Sequence, residues 1–484
     1  RKYTVQANGV AVGDFDGDGW MDLAASVSSG YVATLINLLN IIDLGAVDDD
    51  LFSGFNATEM GSTVLQVTPV HDGFLTVLVG DVQVPGSVTL RLYADNPLAN
   101  PGAELLAETE GTSTRLEYEF VEGGRLYYVT LNGTDTNFSL RFVNLFGIKP
   151  LGEDGALVTI YGTDGDDALE LQPSPTLQVV INGVLYSQHD IPASMTVQAE
   201  LGAGYDVVTA YDGPGNDLFE LRPGLLTGSL ETCVPITLDA VMGFEHAHVY
   251  ATGGGQDTSR LYDKPSDGGV DVAVKLKSEP EYKHVKMIGA RMYHRVKLFE
   301  VVEAYAAGDN DQALFWDSTG DDLFEGGYGS SRMIGPGYDV RAFNFPRVTA
   351  YASGGNDTAR LVDSVLKDEF QSKSNKCELF DQVTGGSRYR VSVRAFDYVY
   401  AEASTAGSNR DAAKLWPTGG DDLVEISGNV LDFSVLQTGM PRLIRRVVGF
   451  ENAKLQPTAG SNDRVRLVEP VQMTVEIATG WQVE

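Results

Sequence analysis

The chain has 484 residues, 43% of them hydrophobic, and its 67 acidic and 35 basic residues give a net charge of −32. The hydrophobic content excludes a disordered chain, and the negative charge argues against nucleic acid as a partner, because phosphate binding needs a basic footprint. No apolar run approaches the ~18 residues of a membrane-spanning helix, the two cysteines do not make a disulfide framework, and the opening RKYTVQANGV does not resemble a signal peptide.

The first predicted segment, residues 1–42, contains alternating aspartates between two apolar strands, in VAVGDFDGDGWMDLAAS. Alternate carboxylates in a tight turn converge on one point, and hard cations such as Ca²⁺ take oxygen ligands in this way. An EF-hand is excluded, because Ala25 stands where that loop needs its twelfth-position acid. An aspartate and glycine turn without an ion is the alternative.

This loop resembles the calcium loop of the FG-GAP repeat, the blade unit of integrin-type β-propellers. The resemblance implies a Ca²⁺ ion bound by Asp14, Asp16, Asp18 and Asp22, with Trp20 at the place where the family uses a backbone carbonyl. The family stacks several such units and this chain shows one. We therefore expect the copy to stand alone or to belong to a longer polypeptide.

The second predicted segment, residues 43–149, alternates apolar and polar residues like an antiparallel sandwich. Its strands are predicted at GFLTVLVGDV (73–82), SVTLRLYAD (87–95), RLYYVTLNG (125–133) and NFSLRFVNL (137–145). Their order and spacing resemble the bacterial pre-peptidase C-terminal domain, a jelly-roll-like module of secreted proteins that is not itself an enzyme. A generic β-sandwich spacer is the alternative.

The third predicted segment, residues 150–484, repeats two phrases, each followed by an apolar strand. One has a G-N-D corner, as in GGNDTARLVDS, and the other has a G-D-D corner, as in STGDDLFEGG. The aspartates assigned to the first phrase are Asp217, Asp257, Asp311, Asp357, Asp411 and Asp463. A period of about 50 residues indicates stacked supersecondary units.

Short apolar strands with Gly, Asn and Asp corners favour a parallel β-helix, because these residues tolerate the conformations that sharp corners require. A β-propeller with one blade per unit is the alternative. The two phrases resemble each other, which indicates that each unit consists of two half-repeats. A propeller with one blade per unit does not predict such half-repeats. The predicted fold class is therefore all-β, a jelly-roll-like β-sandwich followed by a parallel β-helix or β-solenoid.

The phrases VTAYASGGNDTARLVDS and WDSTGDDLFEG are similar to the repeats of large secreted and surface proteins of planctomycete-type bacteria. The resemblance implies a secreted or cell-surface location and a structural or adhesive scaffold role without enzymatic activity. The expected partners are other copies of the chain, other surface proteins or a polysaccharide.

The corner aspartates have two interpretations. As cation ligands, Asp166, Asp167, Asp321, Asp322, Asp421 and Asp422 are the candidates. As turn residues, Asp and Asn only hydrogen-bond their own backbone. In SVLKDEF (364–370) a Lys-Asp pair replaces the G-D-D corner, so any function of that corner is not expected in every unit.

One segment is basic, VKLKSEPEYKHVKMIGARMYHRVK (274–297). A polysaccharide lyase would use Lys283, Arg291, His294 and Arg295 to bind a uronate and abstract its proton. The alternatives are a docking patch without catalysis and ordinary strand residues on a solvated face.

Two further patterns are ambiguous. His246 and His248 share one face of a strand and are interpreted as variable strand positions or as metal ligands. Tyr250, Tyr305 and Tyr351 recur at one repeat position, which indicates either an internal aromatic stack or a sugar-binding ladder.

Overall fold

The computed structural model describes residues 7–13, 22–27, 32–35, 41–56, 64–80, 87–111, 115–134, 137–152, 154–173, 176–187, 194–264, 273–382, 388–404, 410–437, 440–457 and 462–484. Apart from one 3-10 turn, Pro280–Tyr282, their regular structure consists of strands, which confirms the all-β class. None of them forms a helix long and apolar enough to cross a membrane. The chain divides into two compact units, one comprising Arg1–Leu151 and Leu157–Thr163, the other Gly152–Ala156 and Asp164–Glu484.

The first unit contains a small sheet and a β-sandwich. The small sheet has the order β1-β2-β3, with β1 (Ala7–Gly13), β2 (Asp22–Val27) and β3 (Val32–Leu35) antiparallel. The following strands are β4 (Ile41–Val47), β5 (Asp49–Asn56), β6 (Val64–Pro69), β7 (Gly73–Gly80), β8 (Ser87–Tyr93), β9 (Leu105–Gly111), β10 (Arg115–Val121), β11 (Tyr127–Thr134), β12 (Asn137–Val143) and β13 (Phe146–Leu151).

Two sheets form the sandwich, with the orders β4-β6-β11-β8-β9 and β10-β7-β12-β5. Alternate residues of both sheets meet in one core, in which Leu90 and Val129 of the first sheet and Val77 and Phe142 of the second are fully buried. Because successive side chains of a strand point to opposite faces, the alternation of the sequence produces this layer.

The solenoid strands, most of them five to seven residues long, belong to the second unit. They are preceded by β14 (Gly155–Tyr161) and are β15 (Ala168–Gln172), β16 (Gln178–Ile181), β17 (Val184–Ser187), β18 (Ser194–Glu200), β19 (Val207–Tyr211), β20 (Leu218–Arg222), β21 (Leu225–Leu230), β22 (Ile236–Met242), β23 (His246–Tyr250), β24 (Thr258–Tyr262), β25 (Lys275–Glu279), β26 (His284–Gly289), β27 (Met292–Lys297), β28 (Val301–Tyr305), β29 (Gln312–Trp316), β30 (Leu323–Gly327), β31 (Ser330–Gly335), β32 (Tyr338–Phe343), β33 (Arg347–Tyr351), β34 (Thr358–Val362), β35 (Asp368–Lys373), β36 (Lys376–Asp381), β37 (Arg390–Arg394), β38 (Tyr398–Glu402), β39 (Ala412–Leu415), β40 (Asp422–Gly428), β41 (Val430–Gln437), β42 (Met440–Val448), β43 (Asn452–Leu455), β44 (Arg464–Val471), β45 (Thr474–Ile477) and β46 (Gln482–Val483).

These strands form two continuous sheets, and the chain passes from one to the other at each corner. Sheet I has the order β17-β16-β15-β19-β23-β27-β26-β25-β29-β33-β37-β36-β35-β39-β43-β45. Sheet II has the order β18-β22-β21-β20-β24-β28-β32-β31-β30-β34-β38-β42-β41-β40-β44-β46. Strands of successive coils pair in parallel, as a β-solenoid requires, so the propeller alternative is wrong.

Antiparallel hairpin triplets interrupt the parallel pairing at regular intervals, and the sequence did not predict them. They are β15–β17, β25–β27 and β35–β37 in sheet I, and β20–β22, β30–β32 and β40–β42 in sheet II. Along the chain, two single strands lie between consecutive triplets, one in each sheet. A sequence unit of about 50 residues is thus one triplet with two single strands, and neighbouring units begin on opposite sheets.

The inner faces of the two sheets pack against each other. Phe315 of sheet I and Phe324 of sheet II are both fully buried, and their ring centroids lie 5.7 Å apart. The corners approach so closely that they require glycine: Gly355 adopts φ +112°, and a Cβ there would collide with the carbonyl oxygen of Gly320 in the neighbouring coil.

Candidate metal centres at the solenoid corners

The predicted calcium loop lies almost entirely outside the described residues. Outside the described residues lie Asp14, Asp16, Asp18 and Trp20. Asp22, by contrast, begins β2 and pairs with Gly13 of β1. The ligand assignment stays a prediction.

One hydrogen bond recurs at the corners of the described solenoid. The backbone N–H of the residue just before or at the start of a triplet donates to the carboxylate Oδ1 of an aspartate in the next coil. The donor and acceptor pairs are Asp167 and Asp206, Asp217 and Asp257, Val274 and Asp311, Asp322 and Asp357, Asp368 and Asp411, and Asp422 and Asp463, at distances of 2.7–3.0 Å. Each bond joins successive coils at the point where the chain changes sheet.

Three of these corners bring a third aspartate to the pair. Cluster 1 consists of Asp212, Asp217 and Asp257, cluster 2 of Asp317, Asp322 and Asp357, and cluster 3 of Asp363, Asp368 and Asp411. In each cluster one atom from each carboxylate lies within 4.8 Å of the others. Oxygens that bind one Ca²⁺ ion at 2.3–2.6 Å are at most about 5 Å apart, so the spacing fits a hard cation.

Burial makes these clusters costly without a cation. All nine aspartates are at most 7% exposed, and no ion pair joins any of them to a basic residue in the described part of the chain. Burial raises the pKa of Asp257 to about 7; the Asp217 N–H opposes this, and the charges of Asp212, Asp217 and Glu300 add to it. Burial likewise raises the pKa of Asp357 and of Asp363. Three such carboxylates do not ionise together unless a cation compensates their charge.

The local sequence places the first two ligands of each cluster. In cluster 1, Asp212 directly follows strand β19, and Asp217 stands five residues later, where the turn leads into β20. Asp217 Oδ2 accepts from the Gly213 N–H at 2.7 Å, which closes the turn. Asp212 Oδ1 accepts from the Thr252 and Gly253 N–H groups of the next coil at 2.6 and 2.7 Å.

Two of the clusters contain a carboxylate oxygen without any hydrogen bond. Asp212 Oδ2 and Asp363 Oδ2 are buried and have no partner, while the other oxygen of each side chain accepts backbone N–H groups. A buried charge without a hydrogen-bond partner destabilises the folded state by its desolvation penalty, which is on the order of several kcal/mol. These two oxygens are therefore open ligand positions of clusters 1 and 3.

Cluster 2 is satisfied more fully by the protein itself. Ser353 donates from its N–H and its hydroxyl to Asp317, and Ser318 donates from both groups to Asp322. The Tyr338 hydroxyl also donates to Asp322 Oδ1 at 2.8 Å, and burial together with that carboxylate raises the pKa of Tyr338. Cluster 2 therefore has the same arrangement of three aspartates as clusters 1 and 3, but fewer carboxylate oxygens without a hydrogen-bond partner.

Other corners lack one of the three aspartates. At the corner of Asp422 and Asp463, Pro417 stands five residues before Asp422, where clusters 1 to 3 have their first aspartate. At the corner of Asp263 and Asp311, Val274 takes the place of the second aspartate. The chain therefore contains two-carboxylate corners that share the hydrogen bond but not the third ligand.

The sequence identified part of these sites. Of the predicted corner aspartates, Asp167, Asp322 and Asp422 are buried, whereas Asp166 and Asp321 are exposed and accept backbone N–H groups of the next coil, from Tyr205 and Asn356. Asp421, half-buried, contacts the Asn462 side chain. Asp217 belongs with the G-D-D aspartates and not with the G-N-D group to which the sequence assigned it.

Of the nine cluster aspartates, only Asp322 was among the predicted cation ligands, so the first and third ligands of every cluster and the second ligands Asp217 and Asp368 were missed. The signal for the first was the spacing of two aspartates five residues apart, in YDGPGND, WDSTGDD and VDSVLKD. The last of these shows that the divergent segment SVLKDEF keeps the buried aspartate, Asp368. The third ligand lies 35 to 43 residues further along the chain and is found only when the coils are stacked.

The structure does not assemble the predicted lyase residues. Lys283 and Arg291 lie at opposite ends of β26, and Arg295 is on the outer face of sheet I. His294 is fully buried, and burial lowers its pKa to about 3, so it faces the interior as a neutral side chain. The four groups do not converge on one substrate position.

The predicted histidine and tyrosine patterns lie on outer faces. His246 accompanies His248 on sheet I, where Tyr205 hydrogen-bonds the His246 ring. The tyrosines do not form one column, since Tyr305 is on sheet II and Tyr250 is on sheet I. Tyr305 stacks between Tyr262 and Phe343 at 4.8 Å from each, so it belongs to an aromatic stack on the outer face of sheet II and not to a stack inside the coil.

Comparisons with protein-family models, with curated proteins and with solved structures found no match to this chain.

Proposed function

We propose that the chain is a structural scaffold whose solenoid is stabilised by calcium ions at the corner clusters. The observation that carries this proposal is the set of buried clusters of three aspartates, with nine carboxylates and no basic partner among the described residues. Oxygen-only ligands of this charge suit Ca²⁺ better than softer transition metals. Each ion would connect two successive coils, since its ligands come from both.

The arrangement supports a mechanical role. Each coil of a solenoid contacts only its neighbours, so the array is as stable as the interfaces between coils. A cation that bridges two coils adds its binding free energy to that interface. A ligand present at one hundred times its dissociation constant stabilises the folded state by about 2.7 kcal/mol per site. Calcium concentration would therefore control how well the solenoid resists unfolding.

Such a scaffold suits a secreted or cell-surface protein. Extracellular calcium modules bind with dissociation constants of about 10⁻⁴–10⁻³ M, which are filled only where calcium is abundant. The expected partners are other copies of the chain or other surface proteins, as components of a larger assembly. Labelling of intact source cells with an antibody against the chain tests the location.

Thermal unfolding of the chain tests the proposal, with the chelator EGTA, with calcium, or with magnesium at the same ionic strength. Calcium should raise the unfolding temperature of the solenoid well above that in EGTA, and magnesium should do so less because it dehydrates reluctantly. Equal unfolding temperatures in all three conditions would contradict the calcium role. Sedimentation at high concentration with calcium present tests self-assembly, and a strictly monomeric chain would contradict it.

A further inference from the structure

The outer face of sheet I contains a row of basic side chains on neighbouring strands. His248 of β23 lies opposite Arg295 of β27, Arg295 lies opposite Lys286 of β26, and Lys286 lies opposite Lys277 of β25. We call these four residues the basic row. Their inward neighbours Ala247, His294, Met287 and Leu276 are fully buried, so the row faces outward.

The cations of this row are poorly compensated. Lys286 pairs with Glu279 at 3.1 Å, whereas Lys277, Arg295 and the flanking Lys275 and Lys297 form no ion pair with a described residue. Like charges directly opposite each other in a sheet destabilise the pairing. The chain has a net charge of −32, so acids to pair with these cations are plentiful in its sequence. The local excess of unpaired cations among the described residues is therefore a feature that folding alone does not require.

The outer face of sheet II is built in the opposite way. Its corresponding row alternates in charge, with Glu220, Arg260, Glu303 and Arg341 in successive register positions. Arg260 pairs with both glutamates at 3.3 and 3.1 Å, and Arg341 pairs with Glu303 at 3.1 Å. The two outer faces follow the same repeat, so the scarcity of acids along the described basic row, where Glu279 pairs with Lys286, is a local feature.

The basic row also has buried polar atoms that no described group satisfies. Arg295 Nε and His248 Nδ1 are both buried and have no hydrogen-bond partner. An unsatisfied buried donor costs about 1–3 kcal/mol, and more when it is charged. An anionic group bound over the row would compensate the charge of the Arg295 guanidinium, whose Nε itself is inaccessible from outside.

A groove with aromatic walls adjoins the row. It has a volume of about 460 Å³ and is lined by Tyr205, His246, Arg291 and Tyr293, among others. Tyr205 is 50% exposed, and Tyr293 lies beside His246 with ring centroids 5.0 Å apart. Among the described residues that line the groove, the one acid, Glu245, already accepts the Asp206 N–H at 3.0 Å. The groove thus offers ring surfaces and a cation beside the row.

We propose that this face binds a linear acidic polysaccharide, whose carboxylate or sulfate groups contact the basic row while a sugar ring occupies the groove between Tyr205 and Tyr293. A linear polymer fits because the row crosses neighbouring strands in a straight line, and sugar rings fit because aromatic walls accompany the charges. The proposal is independent of the calcium sites, since it uses other residues on another surface.

The test measures binding of the full chain to chondroitin sulfate by calorimetry, in low salt with calcium present, against neutral dextran and poly-glutamate. Wild type should bind chondroitin sulfate, bind it less as salt rises, and not bind dextran. The double variant Lys277→Gln/Lys286→Gln should bind about tenfold more weakly or worse. Lys454→Gln/Arg466→Gln, which removes two exposed cations already paired with acids, should bind like wild type.

Variants of the groove separate a sugar from a general anion. Tyr205→Ala and Tyr293→Ala should each weaken chondroitin sulfate binding without changing the unfolding temperature by more than a few degrees. Absence of binding by wild type, equal affinity for poly-glutamate, or unchanged binding by the lysine variant would overturn the proposal. Self-association that Lys277→Gln/Lys286→Gln abolishes would assign the face to the acidic surface of a second copy, and would also overturn it.

Discussion

The substitution Asp257→Asn separates the structural and the cation-binding roles of cluster 1. The asparagine Oδ1 still accepts the Asp217 N–H, which in wild type is a hydrogen bond of 2.9 Å, but the charge is lost. Without calcium, the change removes one of three buried like charges, and we expect the variant to be at least as stable as wild type. With calcium, the variant lacks a ligand and should lose the stabilisation of that site.

The expected size follows from binding linkage. At free calcium one hundred times the dissociation constant, one site contributes about 2.7 kcal/mol, so the calcium-dependent gain in unfolding free energy should fall by about this amount. The assay is denaturant unfolding in EGTA and in calcium, and the quantity compared is the difference between the two conditions. This double difference cancels any effect of the substitution on the metal-free fold.

Asp463→Asn is the matched control. Asp463 accepts the Asp422 N–H at 2.9 Å in the same geometry, but Pro417 leaves that corner without a third aspartate. The control should therefore change stability equally in EGTA and in calcium. If Asp257→Asn also shifts stability by the same amount in both conditions, the cluster only shapes the turn, and the cation account of cluster 1 is refuted.

Further predictions concern pH, the core and the first segment. Burial raises the folded-state pKa of Asp257 to about 7 from an unfolded value of 3.8, so without calcium the stability that its protonated form provides should be lost between about pH 4 and pH 7. Calcium should therefore raise the unfolding temperature more at pH 7.5 than at pH 5. An equal rise at both pH values would contradict the raised pKa. Phe324→Ala should cost about 3–5 kcal/mol in denaturant unfolding, since this fully buried ring packs on Phe315 across the two sheets, and a cost below 1 kcal/mol would contradict that packing. Asp16→Ala should remove one calcium site in calorimetry and leave the unfolding temperature of the solenoid nearly unchanged; loss of solenoid stability would refute a separate loop.

Local patterns predicted the strands well. The sandwich segments predicted from alternation at 73–82, 87–95, 125–133 and 137–145 are β7, β8, β11 and β12. In the repeats, the Gly and Asp corners indicated the solenoid because they encode sharp turns, and turn chemistry is local. A strand and its corner are properties of a few consecutive residues, which is why the sequence was sufficient for them.

The triplets and the clusters depend on stacking, which the sequence does not show directly. Asp212 and Asp257 are far apart in the chain and meet because β19 pairs with β23 in sheet I and β20 pairs with β24 in sheet II. The sequence predicted the basic segment 274–297, but the direction of its side chains depends on the strands of the antiparallel triplet β25–β27. His294 then faces the interior and Arg295 the exterior, because adjacent residues of a strand point to opposite faces.

The central claim is that clusters 1 to 3 bind cations, and anomalous diffraction from crystals grown with terbium in place of calcium tests it most directly. The account predicts a peak between Asp212, Asp217 and Asp257 and another between Asp363, Asp368 and Asp411, where a carboxylate oxygen has no hydrogen-bond partner, and a third, weaker or equal, at Asp317, Asp322 and Asp357. It predicts no peak at the Asp422 and Asp463 corner, where Pro417 replaces a ligand. Empty clusters in crystals that bind terbium elsewhere would contradict the account.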